Sequence, residues 1–388
     1  MKKILFLPFL MMPTGHHQVA DALIRSLSSR TKNVHCAKID FVSYVGETFE
    51  KIVTNTYLKW IIHSPQTYHM VYRHFMYPNR SRRWRIYETL FLKKMEELLA
   101  DEKPDLLVCT QALPSFLISK LKLEGKISTP AVNVYTDFFI NGLWGREGID
   151  FHFVPDVPMK LELIENHSIP ADKIFVTGIP VDECFTIEKV DRDHTLTPPY
   201  RILISGGNNG LGQMQDLLTE LDSFTKCEYL VLCGKNHKLY QEIKSMGLKS
   251  IKPLPYISSR EEMNKLYSSA HAIVTKPGGV TVSECLKKKL PIFIHSVLPG
   301  QEEINRNYLS NQALVYNLDS SQPIGKQLID FLSNGELLSS WFKPVNRYHK
   351  RIEVSAWQKI LSILESEPEE SFILPREILA STRSVSKI

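Results

Sequence analysis

Short, almost wholly apolar runs recur along this chain, and each gives way to a segment with helical spacing. "KILFLPFL" near the start, "PDLLVCT" (Pro104–Thr110), "YRILIS" (Tyr200–Ser205), "AHAIVT" (Ala270–Thr275) and "PIFIHS" (Pro291–Ser296) are of this kind. A strand that is apolar on both faces has to be covered on both, so such runs belong to parallel sheets flanked by helices. The segments between them fit: in "HHQVADALIRSLSS" Val19, Ala22, Leu23 and Leu27 fall on one helical face. The alternation breaks at Thr186–Pro199, which has few large apolar residues and ends in two prolines, and resumes at Tyr200. A chain of 388 residues is too long for one ordinary core. The expected fold is therefore α/β, with two Rossmann-like domains facing a central cleft. The expected divisions are a first domain over 1–185, a linker over 186–199 and a second domain over 200–345. Helical residues 346–367 are expected to return to the first domain, and 368–388 to form a flexible tail.

Composition excludes several classes. Hydrophobic content of 43% and charged content of 23% are those of a soluble globular protein. No apolar run approaches the roughly 20 residues of a membrane-spanning helix. The opening "MKKILFLPFLMMP" imitates a leader peptide, but it runs straight into a loop and an amphipathic helix. It is expected to be a buried first strand. The six cysteines are scattered and form no C-x-x-C pair, so buried thiols in a reducing compartment, the cytoplasm, are expected. "DRD" (Asp191–Asp193) resembles a metal-holding D-x-D, but no strand precedes it to place it; it reads as solvated charge, and no metal is called for.

Charge is unevenly spread. Between Lys51 and Met95 nine Lys/Arg face one acid, Glu88, a local charge of +8 in a chain whose net charge is +5. Nine aromatics share the segment. A charge run alone is usually a solvated helical face. Interleaved aromatics point instead to an anionic membrane surface, where each Lys/Arg contributes roughly 1 kcal/mol and aromatics anchor among headgroups. Trp60, Arg80, Arg82, Arg83, Trp84 and Arg85 are the candidate contacts with membrane or acceptor. No nucleic-acid motif accompanies them.

Ligands of open parallel sheets bind beyond the carboxyl ends of strands, so the loops that follow strands are the ones to inspect. In "AIVTKPGGVTVSEC" (Ala272–Cys285) Gly278 and Gly279 leave room for a close backbone approach. Thr281 and Glu284 have the spacing of a capping box, and a helix start there would hold a phosphate. Glu284 could merely cap its helix, or reach out to two neighbouring hydroxyls such as those of a ribose. "LISGGNNGLG" (Leu203–Gly212), with Gly206 and Gly207, is a second phosphate-type loop and lacks the Gly-Lys-Ser/Thr of a Walker A motif. In "PTGHHQ" His16 stands where the first strand yields to a helix and is a candidate proton acceptor. A dinucleotide site with Asp40 is the rival there, but the spaced glycines it needs are missing. Asp137 in "VYTDF" could orient His16, activate a hydroxyl, or only cap a turn. Gln301, Glu302 and Asn305 follow another strand and suit sugar hydroxyls, or simply the start of a helix.

The run "VTKPGGVTVSECLKKKLPIFIHSVLPGQEEINRNYL" (Val274–Leu309) resembles the donor-site segment of the diacylglycerol glycosyltransferases of glycosyltransferase family 28. These include the processive diacylglycerol glucosyltransferases and the monogalactosyldiacylglycerol synthases. "TGHHQVADAL", "VYTDF", "KIFVTGIPVDECF", "LISGGNNGLG" and "VLCGKN" extend the likeness over most of residues 1–365. The resemblance implies a GT-B fold, a UDP-sugar donor, inversion at the anomeric carbon without an essential metal or other cofactor, and a lipid acceptor, most simply diacylglycerol. It also implies peripheral attachment to the inner face of the cell membrane. By position, Glu284 would hold the ribose, Gly278, Gly279, Val280 and Thr281 the pyrophosphate, and Gln301, Glu302 and Asn305 the sugar or its phosphate. Tyr256 and Ile257 fall where the family places uracil, and His16 and Asp137 match its glycine-loop His and T-D Asp. Two departures lie in the acceptor half: Pro13 and Thr14 where the family usually has glycines, and Asn141 where it often has His. The alternatives are a soluble acceptor, a UDP-sugar epimerase, and a non-catalytic sugar-nucleotide binder.

Overall fold

The computed structural model describes residues 1–8, 15–46, 84–185, 196–206, 214–298 and 300–366, and the side chains of all of these but 84–87 and 214–217. Two six-stranded sheets organise them, and every pairing in both is parallel. The first sheet holds β1 (Lys2–Leu7), β2 (Val34–Lys38), β3 (Leu106–Cys109), β4 (Ala131–Val134), β5 (Phe151–Val154) and β6 (Ile174–Val176), in the order β2-β1-β3-β4-β5-β6. The second holds β7 (Tyr200–Ser205), β8 (Cys227–Leu232), β9 (Ile251–Leu254), β10 (Ala272–Thr275), β11 (Ile292–Ile294) and β12 (Tyr316–Asn317), in the order β12-β11-β10-β7-β8-β9. The apolar runs are the strands, and their burial on both faces is the reason. Ile4 to Leu7, Leu106 to Cys109 and Ile202 to Ile204 have no exposed surface. Pro253, which cannot donate to a ladder, sits in β9 at a sheet edge.

Strand order locates the ligand crevices. After β2 the chain crosses to the other side of β1 to add β3, and after β9 it crosses to the other side of β7 to add β10. These reversals are the switch points at which open parallel sheets take ligands. His16 follows β1, Gly206 follows β7, and Gly278 and Gly279 follow β10.

The halves are joined well beyond the linker. Asp156, 1% exposed, caps α5 (Val157–His167) by accepting from the Val157 N–H at 2.8 Å. Its other oxygen accepts from Tyr308 Oη at 2.6 Å and from Arg351 at 3.2 Å. Tyr308 lies on α10 (Gln301–Asn311) of the second half, and its ring stacks on Phe138 of the first at 5.7 Å between centroids. After α12 (Gly335–Lys350) the chain runs along the first half. Glu353 accepts from the Val176 N–H, and Trp357 of α13 (Ala356–Glu365) lies under the Arg30 guanidinium at 4.0 Å. Asp156→Ala removes a cap and two hydrogen bonds to a charged acceptor. It is expected to cost about 3 kcal/mol, read as a lower urea midpoint.

Of the expected linker, 186–195 lie outside the described residues, as does the tail from 368. Among the described residues no helix is long and apolar enough to cross a membrane. No disulfide joins the six cysteines, four of which are buried.

Candidate active site

The first helix, α1 (Gly15–Ser28), begins with His16 in its opening turn. His16 Nδ1 and Thr136 Oγ1 are hydrogen-bonded at 2.8 Å, and the ring also meets the carbonyl of Thr110, just beyond β3. Burial lowers the His16 pKa from its ordinary value, against the upward pull of the Asp137 carboxylate and the Thr110 carbonyl. The imidazole is thus favoured in its neutral form at neutral pH. His17 is turned elsewhere, with Nε2 at 3.6 Å from Asp40. Asp40 itself caps α2 (Phe41–Val45), accepting from Val42 and Ser43 N–H groups at 3.0 and 3.3 Å. An acid at the end of β2 therefore has a local task, consistent with the missing glycine fingerprint.

The helix after β10, α9 (Gly279–Lys287), corrects one expectation. Its N-cap is Gly278, not Thr281, and its first internal bond runs from Val282 N–H to the Gly278 carbonyl. Glu284 is thus more than one turn inside the helix and caps nothing. The reason for Gly279 is also sharper than the sequence suggests. A Cβ there would lie 2.1 Å from the carbonyl oxygen of Thr136, whereas one on Gly278 would meet nothing within 4 Å. The backbone that approaches Gly279 is the protein's own first half. A Cβ on Gly15 would likewise lie 3.0 Å from Val280 Cγ2. Helices α1 and α9, one from each half, start against each other, and Thr136 touches both.

Asn305 of α10 closes the same corner. It is 2% exposed; its Oδ1 accepts from the Phe138 N–H at 2.8 Å and its Nδ2 donates to Asp137 Oδ1 at 2.9 Å. Asp137 is therefore held by Asn305, and the residue hydrogen-bonded to His16 is Thr136; Asp137 acts on His16 through its charge alone. Glu302 accepts from the Leu298 N–H at 2.7 Å and lies 3.8 Å from Lys276 Nζ; burial raises its pKa and Lys276 opposes this. Gln301 opens α10 after Gly300, whose φ of 103° suits glycine.

The buried carboxylate of Glu284 faces α8 (Arg260–Ser269). Oε2 accepts from Tyr267 Oη at 2.8 Å and Oε1 from Arg260 at 3.2 Å. Tyr256 and Ile257 lie in the loop that leads into α8; Tyr256 is 44% exposed, with Lys235 Nζ 5.4 Å from its ring centroid. Gly206 is buried at the end of β7. Contacts thus gather His16, Asp137, Gly279, Val280 and Asn305 at one point, while Glu284 meets α8 through Arg260 and Tyr267; among the described residues no hydrogen bond joins it to Tyr256 or Ile257. Gly207, Trp60, Arg80, Arg82 and Arg83 lie outside the described residues, as do the side chains of Trp84 and Arg85, which open α3 (Trp84–Glu102). Among the described residues no group of three His, Cys, Asp or Glu could hold a metal ion. Thr136, Arg260 and Tyr267 are site residues that the sequence patterns do not single out. Thr136 stands within "VYTDF"; the other two carry no motif.

Four likenesses bear on this site. The family model of monogalactosyldiacylglycerol (MGDG) synthase matches residues 16–181. An uncharacterized glycosyltransferase of Bacillus subtilis (strain 168), YkoN, is 44% identical over 90% of this chain and 93% of its own. A processive diacylglycerol beta-glucosyltransferase of Bacillus cereus (strain G9842) is 30% identical over 80% of this chain and 81% of its own. Among solved structures, MurG of Acinetobacter baumannii superposes with a TM-score of 0.59 at 15% identity, over 94% of this chain and 99% of that one. That likeness shows the fold, which is GT-B.

Proposed function

Since the chain belongs to glycosyltransferase family 28, of the diacylglycerol glycosyltransferase type, we propose that it moves a hexose from a UDP-sugar to a lipid hydroxyl, most simply that of diacylglycerol. One observation carries the reading. A neutral histidine from the first half and a bare helix start from the second meet around Thr136. The first is a proton acceptor and the second a cradle for a diphosphate.

In the proposed reaction the acceptor oxygen attacks C1 of the donor sugar from the face opposite the diphosphate. The new C1–O bond forms as the bond to the phosphate oxygen breaks, and His16 takes the acceptor proton. The charge left on UDP is met by the N–H groups that open α9. Configuration inverts, and no metal takes part. We assign Glu284 to the ribose, Tyr256 and Ile257 to uracil, Gly206, Gly207 and Gly278 to Thr281 to the diphosphate, and Gln301 and Glu302 to the sugar. Asn305 meets the sugar only if it lets go of Asp137. The basic aromatic stretch around Trp60 and Arg80–Arg85 is assigned to an anionic membrane, which would make the enzyme peripheral on its cytoplasmic face.

The test is UDP release from a panel of UDP-sugars, with and without diacylglycerol in anionic vesicles. Release that requires the lipid is expected. Release that requires a soluble alcohol instead would replace the lipid acceptor, and consumption of donor with no acceptor would point to an epimerase.

A further inference from the structure

The surroundings of Glu284 are lopsided. Its carboxylate belongs to a residue only 5% exposed. On one side Oε2 accepts from Tyr267 Oη at 2.8 Å, and Tyr267 is 2% exposed, part of the packed interior. On the other side Oε1 is covered by a single guanidinium nitrogen of Arg260 at 3.2 Å, and the Arg260 side chain is 27% exposed. A charge-assisted N–H···O bond is ordinarily about 2.7–2.9 Å and, for arginine, often bidentate. The Arg260 contact is longer and single. Arg260 is also dispensable to its helix, because the Ser259 hydroxyl caps α8 by accepting from Glu262 N–H at 3.1 Å. One oxygen is pinned from inside; the other is held loosely from the solvent side.

We propose that Arg260 is a stand-in for the ribose hydroxyls of the donor, yielding Oε1 of Glu284 when a uridine nucleotide arrives, and that Tyr267 is the positioning residue that fixes the opposite oxygen. This rests on the assignment of Glu284 to the ribose. Arg260 then has two opposed effects. It competes with the ribose for Oε1, and it keeps Glu284 ionised so that there is a carboxylate to compete for. Burial, opposed by Arg260, the Tyr267 hydroxyl and Lys287 and helped by Asp182, leaves the Glu284 pKa raised to about 7. A carboxylate accepts from both ribose hydroxyls, and its protonated form does so poorly. Donor affinity is therefore present above pH about 7 and lost as pH falls through it.

The experiment is the Kd of UDP-glucose, and of its 2′-deoxyuridine counterpart, between about pH 5.5 and 8.5. The wild type is expected to weaken about tenfold per unit on the acid side. Arg260→Met, at a part-exposed helix end, should shift the curve to higher pH and cross that of the wild type. It should bind severalfold tighter at about pH 8.5, where the competitor is gone, and severalfold weaker at about pH 6. Tyr267→Phe should shift the same way without crossing, recovering affinity at alkaline pH. Glu284→Gln should bind weakly, without pH dependence and without preference for the 2′-hydroxyl. Arg260→Met that weakens binding by one factor at every pH would overturn the stand-in and leave the ribose assignment intact. Glu284→Gln that keeps tight, pH-dependent binding would overturn the ribose assignment itself.

Discussion

His16→Ala is expected to lower turnover by ~10²–10⁴-fold, the usual contribution of a positioned general base, while leaving the affinity for UDP nearly unchanged. Geometry is the first reason. His16 stands beyond a strand end at a switch point, hydrogen-bonded through Nδ1 to Thr136, with the glycine start of α9 against the same threonine. Electrostatics agrees, since burial keeps the imidazole neutral. The sign of the pH effect follows. A base with a pKa below 6.5 stays unprotonated further into acid, so kcat should fall only as pH drops through that lowered value. Measured at saturating donor, this limb is separate from the loss of donor affinity that follows protonation of Glu284, which appears in KM. Thr136→Val should fall between wild type and His16→Ala, because the ring remains but its orientation is freed. Near-wild-type turnover by His16→Ala with normal UDP binding would remove His16 from the chemistry.

Gly279→Ala is expected to cost about 100-fold in turnover, and Gly278→Ala little. The two neighbours are chemically alike and differ in what stands beside them. At 279 the new methyl would lie 2.1 Å from the Thr136 carbonyl oxygen, closer than real Cβ atoms come to any backbone atom. The halves would have to part, and a misplacement of about 1 Å between reacting groups can cost about 10²-fold. At 278 the φ of −76° suits any residue and the space is open. Gly279→Ala keeps the N–H groups that open α9, so its UDP affinity should change little, whereas the methyl at 278 enters the space assigned to the diphosphate and should weaken UDP binding. Steady-state kinetics beside UDP titration separates these outcomes. Normal turnover by Gly279→Ala would mean that the halves do not meet this way during the reaction.

The sheets were legible because strands such as β1, β3 and β7 are buried along most of their length, and an apolar run as short as Ile202–Ile204 suits a covered strand better than a helix. The loops that follow β1 and β10 were legible for a related reason: helix starts with glycine and histidine stand out against apolar strands. The short helix Phe41–Val45 was not, since five residues show no periodicity. The cap at α9 was misread because "TVSE" has the spacing of a capping box, whereas the position of the helix start was set by Gly279 packing on Thr136. The partners of the site residues were out of reach altogether. Asn305 meets Asp137 across 168 positions, and Arg351 meets Asp156 across 195. Contacts of that separation leave no local pattern.

The return of the chain to the first half sets a rule for recombining this enzyme with its relatives. Residues beyond Lys350 follow the second half in sequence but rest on the first, through Arg351 on Asp156, Glu353 on Val176 and Trp357 beneath Arg30. A chimaera that imports a foreign second half with one splice at the linker would also import a foreign patch for α1 and β6. Two splices, one before Tyr200 and one near Lys350, would exchange the second half and leave the native clasp in place.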